Sequence, residues 1–430
     1  MHLEFDVGVI GAGIIGATVA AALCEGGLRT ALIDRGSCGA AGATSYSGGL
    51  VRLYDPDPVR MALAAHSLGC MRASRHGLAF DAALRRTGAV YRAALTESQS
   101  LQAAVEQYAR PDYPMLLIND QQLDQINTRT SDAPGYVNLF EPRAGIGDPR
   151  QATRSMAALL AGAGPTACSG LLLEHAEVTA IETGPDGAHI HLGTSRLHCR
   201  VVVVAAGAWA ARLLPALALQ TRSIPLARMT CVEAAAAAVP VIDTVAGTYA
   251  IALGGHVIQA GSQLRHAAAF PEQLPMPGDS SRAPEPLLVR QGEDAMRRLS
   301  QLQGRPVQGT VLDVLPGFDG YTADGRPLVG FLGADSPVFV ATGMNGLGFK
   351  LAPGIADIAL GQIRKRLLGQ ALQDPQGWHA LLSPLRQAAP AAALAHAPAL
   401  SPSSGAALPA VHRTASVALT RAQAYAVVQP

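Results

Sequence analysis

The chain has 430 residues, a length that predicts a large core divided between two domains. Its formal net charge is +1 and 15% of its residues are charged, so there is no electrostatic case for binding nucleic acid or acidic lipid. Six scattered cysteines without CxxC or metal-ligand spacing predict buried, reduced thiols in a cytoplasmic protein and no metal site.

The chain opens with a strand, a glycine-rich turn and a helix. Residues 5–10 are mostly apolar, as in a buried parallel strand, and the glycine fingerprint that starts at residue 11 is expected to leave no room for a signal peptide before it. Gly11 permits a tight turn, Gly13 lets the backbone approach a pyrophosphate, and Gly16 lets the helix pack closely on the sheet. Asp34, at the end of a second strand, can accept hydrogen bonds from ribose hydroxyls. This order predicts a dinucleotide site, with nicotinamide and flavin both open.

Helices and strands are mixed along the rest of the chain. The predicted helices lie at residues 58–75, 97–109, 149–162 (with Asp148 as N-cap), 293–302 and 352–368. The predicted strands lie at residues 178–181, 189–192 and 201–205, within the alternating segment 222–261, and within 324–341. Residues 270–286 read as a proline-rich connector, and the Ala/Pro-rich tail beyond 388 reads as disordered or loosely attached, with a short helix as an option at 417–428.

Residues 201–209 are a second strong signal. Four valines and two alanines lead into Gly207 and Trp209, so a fully apolar strand ends in small residues that let a ligand approach the backbone. Further on, Arg212 and Pro215 interrupt the apolar run, which predicts strand, turn and helix and no transmembrane segment. Together with the N-terminal fingerprint, this strand resembles the flavin-binding strand of the D-amino-acid oxidase family.

Other segments agree with that resemblance, which covers residues 5 to 370. The matching segments are the small residues 42–49, Gly147 to Pro149, the Val178 strand, the T-x-D-G-x-P-x-x-G segment 322–330 and the glycine-rich turn 341–350. A simple nicotinamide dehydrogenase has no role for the later segments, so the resemblance favours FAD. Within the family, Gly-x-Gly-Phe-Lys is most similar to the sarcosine oxidase and glycine oxidase-like branch.

The resemblance implies an α/β fold with a discontinuous, Rossmann-type FAD-binding domain and an α+β substrate domain carrying an antiparallel sheet. The FAD-binding domain would comprise residues 1–90, 143–221 and 311–387, the substrate domain residues 91–142 and 222–310, and the tail residues 388–430. The implied cofactor-binding residues lie in the matching motifs: Gly11, Gly13, Ile14, Ile15, Gly16, Asp34, Arg35, Thr44, Ser45, Gly48, Gly49, Val178, Ala206, Gly207, Trp209, Gly346, Leu347, Gly348, Phe349 and Lys350.

Arg52 and Lys350 stand where the sarcosine oxidase branch holds the substrate carboxylate over the flavin. A planar guanidinium and an ammonium group suit that task, because together they can hold a carboxylate with its Cα–H facing flavin N5. Lysine occurs only at Lys350 and Lys365 among 33 basic residues, which favours a functional role for a lysine in a glycine-rich turn. The alternative is that Arg52 is a surface cation and Lys350 flanks a helix.

Three positions depart from the family pattern. Asp34 replaces the commoner glutamate, and both can bind ribose. Asp319 stands where sarcosine oxidases carry the flavin-linking cysteine, so FAD is expected to be non-covalent. Asp319 could receive the cationic end of a substrate or cap a turn. Gln259 takes the place of the lysine that promotes oxygen reduction, and Tyr249 is a further candidate to line the substrate face, with ordinary packing as its alternative.

The resulting hypothesis is FAD-dependent oxidation of the C–N bond of an amino acid or related amine, with hydride transfer to flavin N5 giving an imine. The partners are then a small-molecule substrate and an electron acceptor, which is oxygen or another molecule. Two alternatives stay open. A flavin dehydrogenase would pass electrons to a quinone or protein, which Gln259 motivates, and a flavin-binding subunit of a hetero-complex would have no substrate of its own.

Overall fold

The computed structural model describes residues 4–126, 135–160, 170–232, 239–262, 266–267, 286–315, 317–371, 374 and 376–388. The predicted connector up to residue 285, the tail from residue 389 and the helix option at 417–428 lie outside these residues. Among the described residues, no helix is both long enough and apolar enough to span a membrane.

The helices are numbered in chain order. They are α1 (Ile14–Glu25), α2 (Gly42–Tyr46), α3 (Pro58–Cys70), α4 (Arg75–Asp81), α5 (Ser98–Tyr108), α6 (Asp120–Gln125), α7 (Pro149–Leu160), α8 (Ala210–Leu213), α9 (Pro286–Gln303), α10 (Gly348–Leu367) and α11 (Trp378–Leu382). Short 3-10 turns cover Leu95–Glu97, Gly207–Trp209 and Pro384–Ala388.

The strands are numbered in the same way. The first half of the chain contributes β1 (Glu4–Ile10), β2 (Thr30–Ile33), β3 (Leu50–Val51), β4 (Leu84–Arg86), β5 (Ala89–Ala94), β6 (Leu116–Ile118), β7 (Tyr136–Glu141), β8 (Gly145–Gly147), β9 (Leu171–Leu173), β10 (Ala180–Gly184), β11 (Gly187–Leu192) and β12 (Ser195–Val204). The second half contributes β13 (Gln220–Ser223), β14 (Leu226–Thr230), β15 (Val241–Asp243), β16 (Thr248–Gly254), β17 (Val257–Ser262), β18 (His266–Ala267), β19 (Val311–Leu315), β20 (Phe318–Tyr321), β21 (Leu328–Phe331) and β22 (Val338–Thr342).

A sheet of eight strands is built around β1. Its main order is β10-β11-β12-β1-β2-β9, with β22 parallel to β12 and β21 antiparallel to β22. Strands β12 and β2 flank β1 in parallel, so their carboxyl ends meet at one edge of the sheet. Helices α1, α3, α7 and α10 cover one face of the sheet, where Val201 and Val203 are buried, and Val202 and Val204 are buried on the other. Burial on both faces explains the continuous apolar run of β12.

A second sheet of eight strands has the order β19-β14-β17-β16-β15-β5-β7-β6. Its neighbours pair in antiparallel fashion except for β5 and β15, which are parallel. The strands come from residues 89–141 and 226–315, so two separate stretches of chain form one sheet. The predicted domain boundaries remain predictions, and β19 (Val311–Leu315) of this sheet falls in the segment 311–387 that the sequence prediction gave to the FAD-binding domain.

Several elements differ from the sequence prediction: among them, α9 begins at Pro286 and not at 293, and β12 begins at Ser195 and not at 201. The helix expected at 58–75 is two helices, α3 and α4, because the Ser74 hydroxyl accepts a hydrogen bond from the Gly77 N–H (3.0 Å) and starts a new helix. The strand expected at 178–181 begins at Ala180. The last helix begins at Gly348 and not at 352, with Pro353 inside it. The Ser67 hydroxyl donates to the Lys350 carbonyl (2.7 Å) and accepts from the Gly354 N–H (3.2 Å), so it supports the backbone beside that proline.

Candidate cofactor and substrate site

A cavity of about 810 Å³ extends from the glycine-rich turn after β1 to the first turn of α10. This volume lies within the ~300–1,000 Å³ range of ligand-binding clefts. The walls come from the carboxyl ends of β1, β2 and β12, from residues 41–56, and from residues 341–350. Parallel sheets place ligands at this edge, so the cavity lies where the topology predicts a site.

The glycines of the N-terminal fingerprint pack the backbone at one end of the cavity. Gly11 has a φ of +103°, and a Cβ atom there would lie 2.6 Å from the Ala205 carbonyl oxygen. A Cβ atom at Gly16 would lie 1.8 Å from the Gly11 carbonyl oxygen. Side chains at these positions would therefore push α1 away from the sheet. Gly13, Ile14 and Ile15 line the cavity, whereas Gly16 only supports it from behind.

Residues 42–49 form the wall beside the start of α1. The Thr44 hydroxyl accepts a hydrogen bond from the Ile14 N–H (3.0 Å), which fixes this wall against the helix N-terminus. Gly48 and Gly49 also line the cavity. Ser45 does not, because its buried hydroxyl donates to the Gly42 carbonyl (3.0 Å). The structure therefore does not support direct cofactor contact by the Ser45 side chain, while Tyr46 is a lining residue that the sequence prediction missed.

Asp34 is held at the end of β2 with its carboxylate facing the cavity. Its oxygens accept hydrogen bonds from the N–H groups of Ala12 (2.7 Å) and Gly36 (2.8 Å). Burial raises the pKa of Asp34, although these two hydrogen bonds oppose the shift. Each carboxylate oxygen has further lone-pair capacity, so Asp34 can still accept hydrogen bonds from a ribose.

An arginine and a tryptophan stack at the same end. The Arg35 guanidinium carbon lies 4.4 Å from the centroid of a Trp209 ring, and both residues line the cavity with Val178, Ala206 and Gly207. The Trp209 Nε1 atom is buried, and no described residue accepts a hydrogen bond from it. A ligand with acceptor atoms would satisfy this donor.

Lys350 and Asp55 form a buried ion pair at the other end of the cavity. The side chains are 4% and 3% exposed, and Lys350 Nζ lies 3.3 Å from Asp55 Oδ2. Arg60 Nε donates to the other Asp55 oxygen at 2.8 Å. Asp55 thus accepts hydrogen bonds from Arg60, which is 5 residues away in the sequence, and from Lys350, which is 295 residues away.

Both members of the pair are charged at neutral pH. Burial lowers the pKa of Lys350 to about 8, although the Asp55 carboxylate opposes the shift. Burial alone would raise the pKa of Asp55, but Lys350, Arg52 and Arg60 outweigh it and hold that pKa below its ordinary value. The charge of Arg52 thus acts on both Asp55 and Lys350, which places the two predicted carboxylate-binding residues in one electrostatic neighbourhood.

Arg52 is oriented by its neighbours. Its guanidinium lies 5.2 Å from the Tyr91 ring centroid and donates to the Tyr54 carbonyl. Buried Glu141 accepts from the N–H groups of Leu53 (2.6 Å) and Tyr54 (3.0 Å), so its carboxylate anchors this segment. The sequence prediction missed Asp55 and Glu141, because no short-range motif connects them to the residues they contact.

Asp319 lines the cavity but its carboxylate caps the backbone. One oxygen accepts from the Gly320 N–H (2.7 Å), and the other accepts from the Gly346 N–H (2.8 Å). This arrangement matches the turn-capping alternative. Asp319 therefore connects β20 to the glycine-rich turn before α10.

Gln259 does not line the cavity, contrary to the substrate-face prediction. Its amide lies behind Gly48, where a Cβ atom would be 2.9 Å from Gln259 Nε2. The side chain is 6% exposed, and within the described parts of the chain Nε2 has no hydrogen-bond acceptor. Tyr249 does line the cavity, as do Gly346, Leu347, Gly348 and Phe349.

The residues present fit FAD. At one end of the cavity lie the start of α1, where a pyrophosphate can bind, and the Asp34 carboxylate, which can bind a ribose. At the other end lies the glycine-rich turn before α10, beside the cations Arg52 and Lys350. Side chains at Gly11 or Gly13 would occupy the part of the cavity beside the turn after β1, because a Cβ atom at Gly13 would lie 3.1 Å from Thr44 Oγ1.

Comparisons with known proteins agree with this geometry. A protein-family model described as FAD dependent oxidoreductase (DAO) matches residues 6–360. The search of curated proteins found no match.

Solved structures resemble the whole described fold. L-proline dehydrogenase from P. horikoshii has a TM-score of 0.74 at 18% identity, over 90% of this chain and 99% of that one. Glycine oxidase from Geobacillus kaustophilus has a TM-score of 0.70 at 20% identity, over 89% and 98%. Iminodiacetate oxidase from Chelativorans sp. BNC1 has a TM-score of 0.67 at 18% identity, over 88% and 98%. At these identities the likeness establishes a shared fold, and the predicted fold class is confirmed.

Proposed function

The chain belongs to the family of FAD-dependent oxidoreductases, and on that premise we propose that it oxidises the C–N bond of a small amino acid or related amine. FAD would be bound without a covalent link, and Arg52 and Lys350 would orient a substrate carboxylate. The proposal rests on the buried ammonium group of Lys350, which lies beside the glycine-rich turn at the opposite end of the cavity from Asp34.

The charge balance at this end favours an anionic substrate group. Arg52, Arg60 and Lys350 carry three positive charges, and the nearby buried carboxylates are Asp55 and Glu141. Lys350 and Arg60 both bond Asp55, whereas no carboxylate among the described residues forms an ion pair with Arg52, in a site where burial strengthens electrostatic attraction. A substrate carboxylate would pair with Arg52 and make charge-assisted hydrogen bonds.

The chemistry divides between the cofactor and the chain. Bound FAD would supply the two-electron acceptor for amine oxidation. The chain holds the carboxylate with Lys350, limits movement of Arg52 by stacking it on Tyr91, and excludes water with buried neighbours.

The names of structural neighbours support the same substrate class. Glycine, L-proline and iminodiacetate each carry a carboxylate beside an amine, and they are named for proteins that share this fold. Among the branches of the family we favour the glycine oxidase-like one, because of the Gly-x-Gly-Phe-Lys segment at residues 346–350.

The electron acceptor is a separate question, and Gln259 favours a dehydrogenase as the second candidate. A neutral, buried amide behind Gly48 supplies no positive charge to stabilise reduced oxygen. Measuring the hydrogen peroxide formed per substrate oxidised, against reduction of a dye acceptor, separates the two reactions. Rapid stoichiometric peroxide would eliminate the dehydrogenase.

We also infer a reducing compartment, consistent with a cytoplasmic location. The described residues contain no disulfide, and burial raises the pKa of Cys38 and Cys199 to about 12, which keeps these thiols protonated. Mass measurement of the native protein after thiol alkylation tests this inference, because disulfides in the native protein would oppose it.

The proposed oxidation is tested by adding a panel of amino acids and amines to the purified yellow protein without oxygen. At least one carboxylate-bearing amine should bleach the flavin absorbance. Full FAD content with no bleaching by any member of the panel would overturn the proposal.

A further inference from the structure

A histidine, a cysteine and an aspartate meet where α3 packs against α10. His66 and Cys70 lie one turn apart on α3, at a spacing of four residues that puts them on one helix face. Asp357 lies on α10 and reaches the same point. The three ligand atoms lie within 4.8 Å of one another, and none of the three residues lines the cofactor cavity.

The distances match the edges of a tetrahedral metal site. His66 Nε2 lies 3.1 Å from Asp357 Oδ2 and 3.6 Å from Cys70 Sγ. Zinc bonds of ~2.0 Å to N and O and ~2.3 Å to S, at tetrahedral angles, give edges of about 3.3 Å for N to O and about 3.5 Å for N to S. Two of the three separations are therefore close to those that a bound zinc ion would impose, and the third, between the Cys70 sulfur and an Asp357 carboxylate oxygen, is within 4.8 Å.

Hydrogen bonding alone accounts less well for the cluster. A Cys–His–Asp relay uses both ring nitrogens, with one partner on each. Here Asp357 and Cys70 both approach Nε2, which carries one hydrogen at most. Because both partners approach the same nitrogen, the three side chains are arranged around a common point and not in a linear hydrogen-bonded relay.

We propose that His66, Cys70 and Asp357 bind a divalent transition-metal ion, for which Zn²⁺ is the best match. Imidazole, thiolate and carboxylate are all zinc ligands, and a thiolate disfavours Mg²⁺ and Ca²⁺. The Asp357 side chain is 54% exposed, so water can complete the coordination. This site does not depend on the proposed amine oxidation.

A bound ion would fasten α3 to α10. The two helices already approach closely at Ser67, because a Cβ atom at Gly354 would lie 3.1 Å from that serine. Asp357 follows Gly354 by one turn, on the helix whose first turn carries Lys350. Metal binding should therefore raise the melting temperature, since it adds a ligand that binds only the folded chain.

The test uses Co²⁺ as a spectroscopic probe on the full chain after metal removal by a chelator. One equivalent of Co²⁺ should bind and produce a thiolate-to-cobalt absorption band, which Zn²⁺ should abolish by displacement. Cys70→Ser should lose the band, and Cys70→Ser and Asp357→Asn should each weaken Zn²⁺ binding by at least about 10- to 100-fold. Unchanged FAD content and circular dichroism would verify the fold of both variants.

His191→Ala is the matched control, because His191 pairs with Glu182 on the first sheet and is not part of the cluster formed by His66, Cys70 and Asp357. It should bind Co²⁺ and Zn²⁺ as the wild type does. A cobalt–thiolate band that survives in Cys70→Ser, or a wild type that binds neither ion more tightly than Cys70→Ser, would overturn the proposal.

Discussion

At the scale of single residues, the Lys350–Asp55 pair explains how a lysine can be buried in the cavity. Moving charges out of water is costly, and removing one partner of a buried pair is destabilising where the other charge is left unpaired. Asp55 would keep its hydrogen bond from Arg60 if Lys350 were removed. The fold should therefore tolerate a neutral residue at this position, which makes Lys350 suitable for a functional test.

Replacing Lys350 with methionine should weaken binding of carboxylate-bearing substrates. The variant loses one charge-assisted hydrogen bond, worth about 1.5–3 kcal/mol, so KM should rise about 10- to 100-fold. Lys365→Met is the control, because Lys365 lies near the far end of the same helix and does not line the cavity. Steady-state kinetics should find KM unchanged in the control and FAD content equal in both variants. An unaltered KM in Lys350→Met would refute the assigned role.

The lowered pKa of Lys350 predicts a pH dependence. Burial brings this pKa to about 8, so Lys350 is protonated below that pH and loses its charge as the pH rises through it. Affinity for a carboxylate should therefore fall above pH 8. A profile of kcat/KM against pH should contain this inflection in the wild type and lack it in Lys350→Met. The same inflection in both proteins would assign it to another group.

The residue scale also marks the limit of sequence prediction. Lys350 stands out by rarity and by its motif, and Asp34 by its place after a strand. Asp55 sits in an ordinary Asp-Pro-Asp-Pro turn, and its partner is 295 residues away. Nothing local marks such a contact, because it arises only when α10 packs against α3.

At the scale of elements, the glycine-rich turns were predictable and the helix boundaries were less so. The turn after β1 requires small residues, since Gly11 and Gly16 leave no space for a Cβ atom. The start of α10 was predicted at 352 and lies at Gly348, with Pro353 inside the helix, where proline removes a backbone hydrogen bond. The Ser67 hydroxyl, a tertiary contact, stabilises the extra turn.

Two alanine substitutions at helical glycines should have opposite effects. In Gly16→Ala the new Cβ atom would overlap the Gly11 carbonyl, so the free energy of unfolding should fall by about 1–3 kcal/mol and FAD content should drop. In Gly361→Ala, at an exposed position of α10 with no atom within 4 Å of the new Cβ, it should rise by about 0.5–1 kcal/mol. Denaturant unfolding measures both. Equal effects of the two substitutions would contradict the close packing of α1 on β1.

At the scale of the whole molecule, two sheets built from interleaved stretches create one cavity between a cofactor end and a cationic end. The family resemblance predicted the fold class, which is confirmed, and most of the predicted site residues line the cavity. Ser45, Gly16 and Gln259 do not: the Ser45 hydroxyl bonds the Gly42 carbonyl, Gly16 packs against the Gly11 carbonyl, and Gln259 lies behind Gly48. Motif matching assigns residues to a segment, whereas the direction of each side chain depends on packing across the molecule.

The most direct test of the central claim compares an amino acid with the amine that lacks its carboxylate. Both are titrated into the FAD-loaded wild type without oxygen while the flavin absorbance is followed. We predict that the amino acid reduces the flavin fully, and that the decarboxylated amine needs at least about tenfold higher concentration. Equal half-saturation for both compounds, or no reduction by any such pair at full FAD content, would contradict the account.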